Sequence, residues 1–171
     1  MRKAPRRRRI RGFAPIAGRG ARVLILGSMP GERSLDAGQY YAHKQNAFWR
    51  IVGELLGIDP QAPYRKRIQA LKSARIAVWD VLHSCTRAGS LDSDIVGTSE
   101  IPNDFTGFFR QHRKVSHVFF NGAKAEASFR RHVASGKVGA IQYARLPSTS
   151  PAHAAASYSR KLQAWQAILR G

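Results

Sequence analysis

Four short apolar runs punctuate the chain: RVLILG (22–27), ARIAVWDVL (74–82), VSHVFFNG (115–122) and AIQYARLP (140–147). Each is rich in β-branched or aromatic residues and is stopped by a turn residue. Continuous rather than alternating hydrophobicity is the pattern of a strand covered on both faces. Between the runs the spacing becomes helical. Phe48, Ile51, Val52, Leu55 and Leu56 predict a helix over 47–56. Further helices are expected over 61–72, 103–112 and 122–134, the last opened by Asn121 as an N-cap. A final helix over 154–170 would place Tyr158, Leu162, Trp165, Ile168 and Leu169 on one face. Strands alternating with helices imply βαβ units, so the expected class is α/β with a central four-stranded parallel sheet. No internal repeat is visible.

In such a sheet, ligands bind at the carboxyl ends of the strands. Four loops are therefore candidates: GSMPGERSLD with GQYYAHKQN, then DVLHSCTRAGSLDSD, then NGAKA, then LPSTSPAHA. The chain's unusual residues gather in them. The 171 residues, 43% hydrophobic, suffice for one domain with a real core.

Charge adds a partner. Lys and Arg number 29 against 10 Asp and Glu, a formal +19. A surface this cationic gains free energy by releasing the counterions condensed on nucleic acid. Residues 1–21 hold no acidic side chain, prolines at 5 and 15, and the run Arg6 to Arg9. They read as a flexible basic arm ahead of a single domain over 22–171. A targeting signal is the competing reading of that run. With Cys85 alone the chain makes no internal disulfide and no multi-cysteine metal or iron–sulfur site. No apolar run approaches the ~20 residues of a membrane-spanning helix. The expectation is a soluble, cytoplasmic, nucleoid-associated monomer that acts on DNA.

Taken alone, GSMPG (27–31) marks no more than a tight turn. In series with YAHKQNAFW, WDVLHSCTR and LPSTSPAHA, in this order and spacing, it resembles the uracil-DNA glycosylase superfamily. It looks closest to the branch of mismatch-type uracil glycosylases and hypoxanthine-DNA glycosylases. The resemblance covers roughly residues 22 to 170. It implies a three-layer α/β/α domain that extrudes deaminated bases (uracil, hypoxanthine and by extension xanthine) and hydrolyses their N-glycosidic bonds. That activity belongs to base excision repair and uses no metal or cofactor.

The resemblance also implies roles for residues. Phe48 matches the aromatic on which an extruded base stacks, although helical spacing alone reads it as core. Other members carry a polar, water-positioning residue two places after the first glycine, where this chain has Met29. In the hypoxanthine-type branch an asparagine ahead of the Phe-Trp pair is implicated instead, and Asn46 stands there. An amide is no general base near neutral pH, so Asn46 would orient water and stabilise charge; an N-cap is its alternative. Asp80 stands at the asparagine with which many members read the uracil edge. An ionised aspartate only accepts hydrogen bonds, which suits an imino N–H but repels the neighbouring carbonyl and argues for a broader lesion range. A turn cap is the other reading of Asp80.

Ser148 occupies the place of a leaving-base stabiliser, with His153 as a second catalytic candidate, and the loop that follows enters the minor groove. Gly27, Ser28, Tyr41 and Asn121 complete the expected base pocket. Arg7, Arg8, Arg9, Lys44 and Arg87 are the expected phosphate contacts. A non-enzymatic, basic nucleic-acid-binding α/β protein is the alternative function, and it leaves the clustering in four loops unexplained.

Overall fold

The computed structural model describes residues 7–133 and 140–171. In chain order its elements are β1 (Arg8–Arg11), β2 (Val23–Gly27), α1 (Glu32–Ala37), α2 (Phe48–Leu56), α3 (Tyr64–Ser73), β3 (Ile76–Asp80), β4 (Leu82–Arg87) and β5 (Ile101–Pro102). There follow α4 (Phe105–Gln111), β6 (His117–Asn121), α5 (Ala123–His132), β7 (Gln142–Leu146) and α6 (Tyr158–Trp165).

The four apolar runs build one parallel sheet in the order β3-β2-β6-β7. Strand β2 is central and all five of its residues are buried, which is why its run shows no polar alternation. Side chains sort by parity along it. Leu24 and Leu26 join Trp79, Phe105, Phe108 and Phe129 in a core with α4 and α5. Val23 and Ile25 join Phe48, Ile51, Leu71 and Trp165 in a second core with α2, α3 and α6. Two cores on two faces of one sheet make three layers, α/β/α.

The three tryptophans also tie down chain around the strand ends. Their indole N–H groups donate to backbone carbonyls of Tyr40, Phe13 and Pro147 at 2.8, 3.1 and 2.9 Å. A buried indole needs such a partner, and each bond fixes a loop against a core. Among the described residues no helix is long and apolar enough to cross a membrane.

Four expectations require correction. The folded domain begins well before residue 22. Strand β1 pairs antiparallel with β4 from Arg8↔Arg87 to Arg11↔Ser84, and Ile16 and Val78 exchange backbone hydrogen bonds of 2.8 Å. Ile10, Phe13 and Ile16 anchor this segment to the two cores; residues 1–6 of the expected arm lie outside the described residues. The run ARIAVWDVL is not one strand. Asp80 ends β3, and from Leu82 the chain enters a second, antiparallel sheet of order β1-β4-β5.

Asn121, lastly, does not cap α5. Gly122 holds the cap position at φ +95°, and a Cβ there would meet the Ser148 side chain at 3.0 Å. The final helix also starts later than residue 154, at Tyr158, with the Ser157 hydroxyl accepting the Arg160 N–H. Residue 134 of the expected helix 122–134 lies outside the described residues.

Candidate active site

From β2 the chain passes to β3 on one side of the sheet and later returns as β6 on the other. The loops leaving β2 and β6 therefore diverge and open a crevice at the carboxyl ends of the strands. A cavity of about 240 Å³ sits there, lined by the loop after β2, the approach to α2, the end of β3, residues 90–92, Asn121 and residues 148–151. It is smaller than the ~300–1,000 Å³ of sites for drug-sized ligands and suits one heterocycle.

One wall is aromatic. The Tyr41 ring stacks on Phe48 with centroids 4.0 Å apart and planes 19° apart. Phe48 in turn meets Trp49 and Trp165 edge-on at 5.0 and 5.9 Å. Phe48 is fully buried and does not line the cavity; the surface offered there is Tyr41. This corrects the expectation that Phe48 itself meets the base, because its outer face is already taken. Tyr41 reaches this place from a left-handed backbone, φ +54°, a conformation that strains a bulky residue. Its hydroxyl lies beside Gly27, where a Cβ would come within 3.0 Å. Asn121 stands near, its amide bonded to Thr149 through both atoms, and the buried Tyr41 hydroxyl is left without a hydrogen bond of ordinary geometry. Burial, with the charge of Asp80 second, pushes the phenol far above its ordinary range.

Beside the Tyr41 hydroxyl, around Gly27, the wall is acidic. Asp80 ends β3 opposite Gly27 in the register, is 3% exposed, and Oδ2 has no hydrogen-bond partner. A side chain at Gly27 would overlap its carboxylate, which gives that glycine a steric reason. Burial raises the Asp80 carboxyl to about 7, Asp92 adds to the shift, and Arg87 opposes it. This brings the neutral form within reach near neutral pH, beside the acceptor-only carboxylate expected from the sequence. A neutral carboxyl donates as well as accepts.

Arg87 is not a phosphate contact. It is 2% exposed, lies beneath the first loop and donates from Nη2 to the Pro30 carbonyl at 2.5 Å. Position in β4, where four of the six residues are buried, removes it from solvent. Arg7, Arg8 and Arg9 are exposed, and Arg9 also bonds Ser84 at 2.8 Å. Lys44 is exposed close to the pocket approach.

Asn46 does line the cavity. Its Oδ1 accepts the Phe48 N–H at 3.0 Å, so it supports the first turn of α2 and faces the pocket at once. Ser148 lines it too, its hydroxyl accepting the Ser150 N–H at 3.1 Å. His153 is exposed and off the cavity wall, which corrects its placement among the catalytic groups; only its backbone carbonyl is used, by Lys161 Nζ at 2.8 Å. Ser28 donates to Asp92 Oδ1 at 2.5 Å. Asp92 and Thr149 were not singled out from the sequence. Thr149 is 1% exposed, bonded to Asn121 by side chain and backbone, and its carbonyl accepts the Ala47 N–H at 3.0 Å. It thus joins three of the four candidate loops. The only signal for Asp92 was the acidic, hydroxyl-rich GSLDSD within a candidate loop. Among the described residues no cluster of three or more His, Cys, Asp or Glu is arranged to hold a metal.

Fold and site together define a three-layer α/β/α enzyme with a pocket for one ring system at the switch point of its sheet. The family model of the uracil DNA glycosylase superfamily matches residues 15–169, and the chain belongs to that superfamily. It is 38% identical over 164 residues to a hypoxanthine DNA glycosylase of Methanosarcina acetivorans, covering 94% of this chain and 98% of that one. A hypoxanthine DNA glycosylase of Methanosarcina barkeri is 38% identical over 115 residues, 67% of this chain and 72% of the relative. Among solved structures, a solution NMR structure from Methanosarcina acetivorans, provisionally assigned as a uracil DNA glycosylase, superposes with a TM-score of 0.77 at 35% identity. It covers 95% of this chain and 98% of its own. The protein is a DNA glycosylase, a hydrolase of N-glycosyl bonds, and its setting is DNA repair.

Proposed function

We propose that the protein excises deaminated bases, hypoxanthine and uracil foremost, from DNA after turning the nucleotide out of the duplex. The observation that carries this reading is Asp80, a buried carboxyl at the pocket wall with one oxygen unpartnered. Hypoxanthine, uracil and xanthine each present a ring N–H beside a carbonyl. A neutral carboxyl supplies the matching pair, an accepting C=O beside a donating O–H, just as an asparagine amide does. The two relatives named as hypoxanthine DNA glycosylases support the choice of lesion. Correctly paired adenine and cytosine are disfavoured before they arrive, since a mismatched base is cheaper to unpair and unstack.

The base lies flat against Tyr41, backed by Phe48, where stacking returns about 1–3 kcal/mol. Cleavage of the bond from C1′ to the base nitrogen leaves the electron pair on the base and positive charge on the sugar. Water adds its oxygen to C1′ and gives up a proton. Asn46 holds that water through the lone pair not used by the Phe48 N–H. The O–H of Asp80, the Ser148 hydroxyl and backbone N–H groups around Gly27 and Ser28 stabilise the departing base. Loops of one chain complete the pocket, so the enzyme works as a monomer.

The test is single-turnover cleavage of oligonucleotides carrying one hypoxanthine, uracil, xanthine or unmodified adenine, with abasic sites opened by alkali. Strand breaks at hypoxanthine and uracil, and none at adenine, are expected. An enzyme that binds all four and cleaves none would replace this reading by that of a binding module.

A further inference from the structure

We propose that Asp92 is the proton acceptor of the reaction: its carboxylate takes the proton that water gives up on adding to C1′. This rests on the reading that a base is cut from its sugar in this pocket, a hydrolysis in which the water must lose a proton. Asn46 can hold that water, but an amide is no base near neutral pH.

Glu32, His43, Asp80 and Asp92 are the carboxyl and imidazole groups on the cavity wall. His43 Nδ1 accepts the Gln45 N–H at 3.1 Å, so a neutral ring carries its proton on Nε2, and that nitrogen only donates. Asp80 is 3% exposed, deep in the site, where it meets the base rather than the sugar. Glu32 is exposed, and among the described residues its carboxylate accepts no hydrogen bond that would fix it. Asp92 differs from all three. It stands at the exposed rim, where the sugar must lie once its base fills the cavity. Its Oδ1 accepts from the Ser28 hydroxyl at 2.5 Å, which holds the carboxylate against the β2 loop. Among the described residues no hydrogen bond reaches Oδ2, so one oxygen is open to water. The Asp94 N–H on the Leu91 carbonyl at 3.0 Å and the Ile95 N–H on the Asp92 carbonyl at 3.2 Å close the turn that carries it.

The surrounding charges agree. Burial raises both carboxyls, and the charge of Asp92 pushes Asp80 further, to about 7. The Ser28 hydroxyl and the cations Arg87 on β4 and Lys124 on α5 hold Asp92 back. The Tyr41 phenol keeps its proton, and the Asp94 carboxylate on the same turn lies over Gly89. Asp92 therefore ionises first of the pair. Two acids whose surroundings push them apart are the mark of an acid–base division of labour, here a carboxyl toward the base and a carboxylate toward the water. The step balances. The C1′–N bond breaks with its electron pair going to the base, a lone pair of water forms the C1′–O bond, and the proton of that water passes to Asp92 Oδ2. The base anion, held by the Asp80 O–H, takes a proton from solvent on release, and Asp92 returns its own to solvent.

The experiment measures single-turnover cleavage of hypoxanthine DNA by wild type, Asp92→Asn and Asp92→Ala as a function of pH. Asp92→Asn keeps an acceptor for Ser28 and removes the base, so the rate near neutral pH should drop by about 10²–10⁴-fold while lesion-DNA affinity and thermal unfolding hold. Toward the acid end the wild-type rate should decline as Asp92 takes up a proton, and that limb should vanish in Asp92→Asn while the fall through about 7 remains. Added formate, a free carboxylate, should restore part of the Asp92→Ala rate and leave wild type unchanged. An Asp92→Asn rate within about threefold of wild type would overturn the proposal. A slow variant with an unaltered acid limb, or an Asp92→Ala enzyme deaf to formate, would overturn it as well. A wild-type enzyme inactive on hypoxanthine and uracil DNA alike would instead overturn the proposed function, and the role of Asp92 with it.

Discussion

On one side of the pocket Tyr41, Phe48, Trp49 and Trp165 interlock at ring distances of 4.0 to 5.9 Å, with both indole N–H groups bonded. Beside and beneath that stack, Asp80 and Arg87 are as deeply buried, yet Asp80 Oδ2 and two guanidinium nitrogens have no partner. The aromatic wall gains from burial twice, through area removed from water and through ring geometry. The acidic wall loses on both counts, because unpartnered polar groups in a low-dielectric site are destabilising. The proposed function assigns Asp80 a partner that arrives with the substrate; Arg87, beneath the loop and off the cavity, has no such access. In the proposed reading the aromatic wall supplies stability and the stacking face, and the acidic wall supplies the group that reads the base edge.

That division has a pH signature. In the unfolded chain the Asp80 carboxyl titrates near 3.8; in the folded protein it titrates near 7. Between these values the native state holds a proton that the unfolded state has released, so stability falls as pH rises and the deficit is complete above 7.

The largest effect should come from the aromatic wall. Phe48→Ala removes the centre of the stack and is expected to lose about 3–5 kcal/mol of folding stability, read by urea unfolding. A loss under about 1 kcal/mol would mean that the stack is not a stabilising unit.

Asn46 can break the division, since it belongs to the aromatic side by position and to the chemistry by its proposed role. Asn46→Ala should slow the chemical step by about 10²–10³-fold in single turnover while lesion-DNA affinity holds. If it only supports the helix start, the same substitution would shift unfolding by about 1 kcal/mol and leave the rate within about threefold.

Asp80→Asn sharpens the comparison from the other wall. It keeps a donor and an acceptor but removes the ionisation, so it should stabilise the protein by about 2–4 kcal/mol at pH 8 and hardly at all near pH 4. Equal stability change at both pH values would show that the acidic wall is not a burden.

Which parts were legible in the sequence follows the same split. Continuous apolar runs announced β2, β3 and β6, and Phe48 to Leu56 announced α2, because burial on both faces or along one stripe writes itself into composition; β7 was found too, but the expectation that it is covered on both faces fails, since this edge strand is exposed from Gln142 to Arg145. Strand β1 could not be read that way: RRIR has one apolar residue, and its partner β4 lies some 75 positions on. Arg87 looked like a surface cation because arginine usually is one. Only the tertiary structure reveals that β4 carries it inward. Asp80 was found, but the upward push that burial gives its carboxyl was not, since residue type says nothing of the solvent it will lose. The same holds for Tyr41, whose stacking over Phe48 depends on a left-handed turn that no hydrophobic pattern encodes.

The most direct test of the central claim, that a protonated Asp80 reads the N–H and carbonyl of the lesion, is the single-turnover rate on hypoxanthine DNA as a function of pH. For wild type the rate should be high on the acid side and fall as pH rises through about 7, where the carboxyl ionises. For Asp80→Asn, which donates and accepts at every pH, that fall should disappear. A wild-type rate that rises through pH 7, or a fall that persists unchanged in Asp80→Asn, would contradict the account.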